Sequence, residues 1–124
     1  MIKVFIADDS SVIRDRLNAL LSDLPGVEVI GEAGDAEETL KGIQELNPDV
    51  VILDIRMPGG NGIGVLKKIK KNDSCPVVIM LTNYPYLQYR KKCTDLGADY
   101  FFDKSTEFER IIEVFNKLIH EPDD

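Results

Sequence analysis

Acidic, hydroxyl and ammonium side chains each stand where a short apolar run of the sequence stops. They are Asp8 and Asp9 after the first run, Asp54 after the second, Thr82 at the end of the third and Lys104 just past the fourth. Three ionised carboxylates in one cleft would repel one another, and a bound divalent cation removes that conflict. An all-oxygen set of this kind suits Mg²⁺, which keeps water positions that phosphate oxygens can take.

The remaining two side chains supply the complementary half of such a site. Lys104 offers a positive charge and Thr82 a hydroxyl donor, and both suit the oxygens of a phosphoryl group. A carboxylate beside them can attack phosphorus and become an acyl phosphate. The residue types therefore predict phosphoryl transfer, with Asp54 as the acceptor.

Each of these residues has a plainer interpretation when it is taken alone. An acidic pair after a strand is often a loop or a helix cap, and a single aspartate there is often a turn residue. Thr82 alone indicates nothing, and Lys104 alone would be a surface lysine. The prediction depends on all five residues falling at the same end of successive strands.

Apolar runs predict the strands that would position these residues. Residues 4–7, 50–53, 77–81 and 100–102 are nearly continuous apolar runs, which is typical of strands buried on both faces of a parallel sheet. A fifth candidate, residues 27–33, carries Glu28 and Glu32, and these charges predict an edge strand.

Helical periodicity fills the intervals between the strands. Apolar stripes predict five helices, and their members include Leu17 and Leu21, Ala36 and Ile43, Val65 and Ile69, Tyr86, Tyr89 and Cys93, and Ile111 and Phe115. Asp35 with Glu38 predicts a capping box on the second helix, and Thr106 with Glu109 predicts one on the last.

Five strand–helix units in a row predict an α/β domain, with a three-layer, doubly wound sheet of five parallel strands. In such a sheet ligands bind beyond the carboxyl ends of the strands, where the five site residues fall. We expect one domain over residues 1–120, followed by a polar tail at 121–124 that is either a natural end or the start of a linker.

Composition excludes several classes of protein. The 124 residues carry 15 basic and 22 acidic side chains, a net charge of −7, so we expect no direct binding of nucleic acid. No apolar stretch approaches the ~20 residues that span a bilayer. The first apolar run meets Asp8 directly, unlike a signal peptide. Cys75 and Cys93 lack metal-ligand spacing and are expected in or near the core, which fits a reducing cytoplasm.

The chain resembles the receiver domains of bacterial two-component response regulators along nearly its whole length. The residues that carry the resemblance are Ile6-Ala7-Asp8-Asp9-Ser10, residues 49–54, Met57-Pro58, Gly62, Leu81-Thr82 and Lys104. The resemblance implies a flavodoxin-like fold with strand order 2-1-3-4-5.

The resemblance also assigns roles to individual residues. It implies that Asp54 is the phosphoacceptor and that Asp9, Asp54 and the backbone carbonyl of Arg56 bind Mg²⁺, with Asp8 acting largely through water. Thr82 and Lys104 would contact the phosphoryl group. Thr82 and Phe101 would form the switch, in which the aromatic ring turns inward when the threonine moves. Phe101 could equally be an ordinary core residue.

The resemblance implies protein partners and no small-molecule turnover. The only histidine is His120, in the predicted tail region, so the phosphoryl donor would be a sensor histidine kinase or a histidine phosphotransfer protein. The readout surface would be the fourth helix, fifth strand and fifth helix, which could also form a homodimer. It would act on a downstream protein or on an output domain absent from this chain, and we favour the stand-alone regulator.

Three positions depart from the family pattern. Ser105 replaces the proline whose peptide bond after the lysine is commonly cis, so a cis bond is not expected here. Asn83 replaces a small residue, and Phe101 lacks the hydroxyl of the frequent tyrosine.

Arg56 could lean over the site or be a solvated loop residue. Tyr84, Tyr86 and Tyr89 lie near the readout surface, although Tyr86 and Tyr89 could instead fill the core stripe.

Three other functions are each disfavoured by a feature of the sequence. Haloacid-dehalogenase-like phosphatases also use an aspartate nucleophile after a strand, but they carry a second aspartate two residues later, where this chain has Arg56. A degenerate receiver that serves only as an interaction module is disfavoured by the intact set of five site residues. A flavodoxin-like flavin binder is disfavoured because no Gly- and Thr-rich phosphate loop follows the first strand.

Overall fold

Strands and helices alternate along the chain, as the apolar pattern predicts. The computed structural model describes residues 1–71 and 75–120, so the tail predicted at 121–124 lies outside the described residues. The elements in chain order are β1 (Ile2–Ala7), α1 (Ser11–Ser22), β2 (Val27–Ala33), α2 (Ala36–Leu46), β3 (Val50–Leu53), β4 (Arg56–Met57), β5 (Gly60–Asn61), α3 (Gly62–Ile69), β6 (Val77–Thr82), α4 (Leu87–Asp95), β7 (Tyr100–Asp103) and α5 (Arg110–His120).

Five of the strands form one parallel sheet in the order β2-β1-β3-β6-β7. The two-residue strands β4 and β5 pair only with each other, as a small antiparallel hairpin. With that hairpin set aside, the sheet order is 2-1-3-4-5, so the predicted flavodoxin-like fold is confirmed.

The register aligns the carboxyl ends of the central strands. Leu53 of β3 pairs with Ala7 of β1 and with Met80 of β6, and Thr82 pairs with Asp103 of β7. The residues that follow these ends therefore meet at one edge of the sheet.

Two hydrophobic layers cover the two faces of the sheet. One layer holds Phe5, Val51 and Leu66 together with other residues of α2, α3 and α4, and the other holds Ile79 and Phe115 with residues of α1 and α5. Because the central strands are buried on both faces, their sequences are continuously apolar. Strand β2 lies at the edge and is only partly buried, which agrees with its two glutamates.

Side-chain caps begin three of the helices. Ser10 Oγ accepts from the Ile13 N–H at 3.3 Å, Asp35 Oδ1 from Glu38 at 2.8 Å, and Asn61 Oδ1 from Gly64 at 2.9 Å. These bonds satisfy N–H groups that have no partner within the helix. The Asp35 cap was predicted from the sequence, and the Asn61 cap was not.

The predicted start of the last helix is wrong. Thr106 does not cap it, because α5 begins at Arg110 and residues 104–109 form turns. In these turns the N–H of Glu107 donates to the Asp103 carbonyl at 2.8 Å, and that of Arg110 donates to the Glu107 carbonyl at 2.9 Å. Phe108 is buried in the core layer beside α1, and the guanidinium of Arg16 lies 3.9 Å from its ring centroid. The conformation of this segment is therefore set by tertiary contacts and not by the local capping pattern.

Both cysteines are free thiols, in agreement with the sequence. Cys93 is fully buried, and burial raises its pKa to about 11; Cys75 is partly buried against the same core layer. No helix within the described ranges has the length and apolar character needed to cross a bilayer.

Candidate functional site

Three carboxylates meet at the carboxyl edge of the sheet. Asp8 and Asp9 follow β1, Asp54 follows β3, and one oxygen of each lies within 4.8 Å of the others. Asp8 and Asp54 are buried, whereas Asp9 is exposed, so the cluster is open to solvent on one side. An all-oxygen set with one open side fits Mg²⁺, which retains several waters. The three carboxylates predicted to bind the metal are thus brought together, and their role as ligands, with the Arg56 carbonyl, stays a prediction.

Backbone hydrogen bonds fix the orientation of Asp54 and Asp8. The Ile55 N–H donates to Asp54 Oδ1 at 2.7 Å, and the Ser10 N–H donates to Asp8 Oδ1 at 2.9 Å. The Asp54 N–H itself donates to the Ala7 carbonyl at 3.0 Å, which ties β3 to β1 next to the site. The acceptor carboxylate is therefore held by the main chain.

Arg14 is a part of the surroundings that the sequence did not indicate. Its guanidinium donates to the backbone carbonyl of Asp8 at 2.6 Å and forms an ion pair with Glu32 at 3.2 Å. Arg14 therefore links α1 and the edge strand β2 to the loop that carries Asp8. No local pattern distinguishes it from any other polar residue of an amphipathic helix.

Lys104 enters the cluster from the end of β7. Its Nζ lies 2.6 Å from Asp8 Oδ2 and 3.0 Å from Asp54 Oδ2, and all three side chains are nearly fully buried. Its backbone N–H donates to the Thr82 carbonyl at 2.9 Å. The predicted point charge thus lies directly beside the predicted acceptor.

Burial and charge shift the pKa values of this pair. Desolvation raises the pKa of Asp54, and the charge of Asp8 adds to it, while the nearby Lys104 ammonium and the Ile55 N–H act in the opposite direction. Burial acts to lower the pKa of Lys104, but hydrogen bonds to Asp8 and Asp54 and their charges outweigh it and raise that pKa. Lys104 is therefore a fixed cation at neutral pH.

Thr82 is fully buried at the end of β6. Its Oγ1 accepts a hydrogen bond from the backbone N–H of Tyr84 at 2.9 Å. This bond ties the Thr82 side chain to the loop that leads into α4, and a rotation that carries Oγ1 away from Tyr84 would break it. The intervening residue, Asn83, is exposed.

Arg56 packs on a tyrosine at the other side of this loop. Its guanidinium carbon lies 4.0 Å from the centroid of the Tyr84 ring, and a hydrogen bond with Tyr89 raises its pKa. The side chain is solvent-exposed, in agreement with a solvated loop arginine, and its ring contact is with the loop that leads into α4. The backbone of Arg56 pairs with Asn61 in the β4–β5 hairpin.

Phe101 is buried in the structure, as the core interpretation predicted. The Arg90 guanidinium lies 4.7 Å from its ring centroid, and Arg90 Nη1 donates to its carbonyl at 3.4 Å. The ring is thus already inward, and its role as a switch stays a prediction.

Aromatic and aliphatic side chains are exposed at the start of α4. Tyr86 and Leu87 are 52% and 78% exposed, so Tyr86 is not part of the core stripe. Tyr89 packs partly against the core, and its ring centroid lies 5.7 Å from that of Tyr86. The sequence allowed either residue to lie at the readout surface or in the core stripe. In the structure Tyr86 is exposed, whereas Tyr89 packs partly against the core.

The peptide bond between Lys104 and Ser105 is trans, because the described residues contain no cis bond. This confirms the expectation drawn from Ser105. The Ser105 N–H donates to Asp103 Oδ1 at 2.8 Å, which closes a short turn around Lys104.

Comparison with known proteins identifies relatives of the whole domain. The model of the family described as "Response regulator receiver domain" matches residues 4–116. A protein-glutamate methylesterase/protein-glutamine glutaminase of Methanospirillum hungatei is 36% identical over 97% of this chain, and the match spans 36% of that protein's length. The chain therefore spans about a third of the length of that relative.

Solved structures give the same result. The response regulator domain of Thermotoga maritima CheB superimposes with a TM-score of 0.84 at 30% identity, covering 98% of this chain and 99% of that one. A CheX–CheY–BeF3–Mg complex from Borrelia burgdorferi gives a TM-score of 0.78 at 32% identity, covering 91% of this chain and 88% of that one.

Proposed function

Because this chain belongs to the response regulator receiver domain family, we propose that Asp54 accepts a phosphoryl group from a phosphohistidine on another protein. The observation that carries the proposal is the contact of Lys104 Nζ with Asp54 Oδ2 at 3.0 Å, inside a cluster of three aspartates. The proposal is supported by the chemistry of these groups, since a carboxylate can act as the nucleophile, the ammonium can neutralise phosphoryl oxygens, and the three carboxylates can hold a cation.

In the transfer step Asp54 attacks phosphorus in line with the donor. The new O–P bond forms as the P–N bond to the donor imidazole breaks, and the bonding electron pair leaves with the imidazole nitrogen. Lys104, which now contacts Asp54 Oδ2, is in reach of an oxygen of a phosphoryl group attached there. When bound by Asp8, Asp9, Asp54 and the Arg56 carbonyl, Mg²⁺ would supply charge neutralisation of the phosphoryl oxygens.

The response to phosphorylation would start at Thr82. Its oxygen accepts from the Tyr84 N–H, and its O–H would donate to a phosphoryl oxygen on Asp54; a shift of the side chain toward that oxygen would draw it away from Tyr84. Release of Tyr84 would loosen the loop before α4, and Phe101 would respond as the second switch residue. The face formed by α4, β7 and α5 would then change its affinity for a partner.

Exposed residues on α4 support this face as the docking surface. Tyr86 and Leu87 present apolar area to solvent, and Lys91 extends from the next turn. The partner would be a downstream protein, a covalently attached output domain or a second copy of the chain. The donor would be a sensor histidine kinase or a phosphotransfer protein, in the cytoplasm, and we propose no turnover of small molecules.

The test is incubation with acetyl phosphate and Mg²⁺, followed by intact mass spectrometry. We expect one phosphoryl adduct in the wild type and none in Asp54→Asn. Asp95→Asn, which changes an exposed aspartate on α4, is the matched control and should retain the adduct. An adduct that persists in Asp54→Asn, or none in the wild type, would overturn the proposal. Sustained hydrolysis of a phosphomonoester would favour a phosphatase instead.

A further inference from the structure

The loop between β7 and α5 carries Lys104 into the site without a proline to stiffen it. Ser105 follows the lysine, and its N–H bonds to Asp103 Oδ1, so one side of the turn is closed by Asp103. The position of Asp103 also matters, because a misplaced turn would misdirect the Lys104 ammonium.

Glu107 holds Asp103 through its carboxylate and its backbone N–H. Oε1 accepts from the Asp103 N–H at 3.1 Å, and the backbone N–H of Glu107 donates to the Asp103 carbonyl at 2.8 Å. Glu107 therefore binds both backbone groups of the residue that precedes Lys104. Together with the Lys104 N–H bond to Thr82, these contacts fasten the main chain on both sides of the lysine.

Two arginines hold the Glu107 carboxylate in this position. Arg110 Nη1 donates to Oε2 at 2.7 Å, and Arg90 Nη2 lies 3.8 Å from Oε1. The Glu107 side chain is 23% exposed, so it is largely withdrawn from water while both arginines remain partly solvated. The Arg90 contact is long and contributes less than the Arg110 hydrogen bond, but Arg90 also covers Phe101.

We propose that Glu107 is a positioning residue that aims Lys104 at Asp54 by fastening Asp103. The proposal rests on the proposed phosphoacceptor function and adds a residue outside the acidic cluster to it. A lysine on a loose turn would sample many positions, and small displacements of a catalytic charge are costly to rate.

The experiment compares Glu107→Ala and Glu107→Gln with the wild type, and Glu109→Ala is the matched control. Glutamine keeps an acceptor oxygen for the Asp103 N–H but loses the charge, whereas alanine removes both. Glu109 is an exposed acid of the same segment. Amide hydrogen exchange without Mg²⁺ reports the turn directly, and phosphorylation by acetyl phosphate at saturating Mg²⁺ reports Lys104.

We expect Glu107→Ala to exchange faster at the Lys104 and Ser105 amides and to be phosphorylated roughly tenfold more slowly at saturating Mg²⁺. Glu107→Gln should recover most of both losses, and Glu109→Ala should behave as the wild type. Unchanged exchange and rate in Glu107→Ala, no rescue by glutamine, or an equal loss in Glu109→Ala would overturn the inference. Absence of any adduct in the wild type would overturn the proposed function instead, while the exchange measurement would still decide whether Glu107 fastens the turn.

Discussion

The ammonium nitrogen of Lys104 lies 3.0 Å from the Oδ2 atom of Asp54, and fewer than a tenth of either side chain is exposed to solvent. The same nitrogen lies 2.6 Å from Asp8, so one cation serves two buried carboxylates. Removing one member of such a buried charge cluster lowers the free energy of unfolding by more than the whole cluster contributes to it, because the charges that remain are buried without compensation. Lys104 is thus a structural counter-charge as well as a candidate contact for phosphate.

Replacement of this counter-charge should destabilise the protein in a way that a cation can reverse. We expect Lys104→Met in EDTA to lower the free energy of unfolding by about 3 kcal/mol. Added Mg²⁺ should restore a larger part of stability than it adds to the wild type, since it binds the folded carboxylates. Urea unfolding with and without Mg²⁺ measures both effects.

Lys91→Met is the control for this change. Lys91 pairs with Asp95 on the surface of α4, and both side chains are mostly exposed. An exposed pair contributes about 0.5 kcal/mol or less, and Mg²⁺ should not alter that value. Equal stability of Lys104→Met and the wild type in EDTA would contradict the counter-charge argument.

The raised pKa of Asp54 predicts a pH-dependent gain in stability on its replacement. A carboxyl group whose pKa is higher in the folded state than its ordinary value of 3.8 stabilises folding when protonated. That contribution is complete below the ordinary pKa and is lost as pH rises through the folded pKa. In EDTA, Asp54→Asn should therefore be more stable than the wild type at pH 7, and the difference should shrink as pH falls toward 4.

Urea unfolding of both proteins across this range measures the difference directly. Other titrating groups are common to the two proteins, so their effects cancel in the comparison. A difference that grows on acidification would show that the pKa of Asp54 is lowered on folding, with Lys104 outweighing desolvation.

The sequence predicted the parts of the structure that are set by repetitive burial. Continuous apolar runs located four strands of the sheet, and a run with two glutamates located β2 at its edge. Once the strands were located, their carboxyl ends indicated where the carboxylates, Thr82 and Lys104 would meet. The start of α5 at Arg110 could not be predicted, because Thr106 and Glu109 satisfy a local capping pattern that tertiary contacts override. The ion pairs of Arg14 with Glu32 and of Arg90 with Glu107 were also missed, since these partners are distant in sequence.

The stacking of Arg56 on Tyr84 predicts a local effect on the Thr82 hydrogen bond. In Arg56→Ala the Tyr84 ring loses its cation contact, and the backbone N–H that donates to Thr82 Oγ1 should be less protected. Amide hydrogen exchange at Tyr84 should accelerate several-fold, while global stability should change little.

Arg16→Ala is the matched control for Arg56→Ala. Arg16 lies over the Phe108 ring at 3.9 Å, a cation contact of similar geometry that is remote from the Thr82 bond. It should produce a similar small change in stability and no change in exchange at Tyr84. Equal exchange at Tyr84 in all three proteins would show that the ring contact does not hold the loop.

Gly62 lies so close to the acceptor segment that there is no room for a side chain. A Cβ atom at this position would lie 1.8 Å from the backbone carbonyl oxygen of Asp54, a distance that no packed structure tolerates. The obstacle is main chain, so it cannot rotate away, and the Gly62 N–H also donates to the Ile55 carbonyl at 2.6 Å. The start of α3 must therefore move away from the segment that carries the acceptor.

We expect Gly62→Ala to lower the free energy of unfolding by about 3 kcal/mol and to slow phosphorylation of Asp54, because the carbonyl it strikes belongs to the acceptor itself. Gly64→Ala is the matched control. Its added Cβ would meet only Asn61 Oδ1, at 3.8 Å, and alanine in a helix should stabilise by about 0.5–1 kcal/mol. Urea unfolding and intact mass after acetyl phosphate treatment separate the two variants. A Gly62→Ala protein as stable as Gly64→Ala would mean that the start of α3 moves away at little cost, and the close approach of Gly62 would then not be needed to position Asp54.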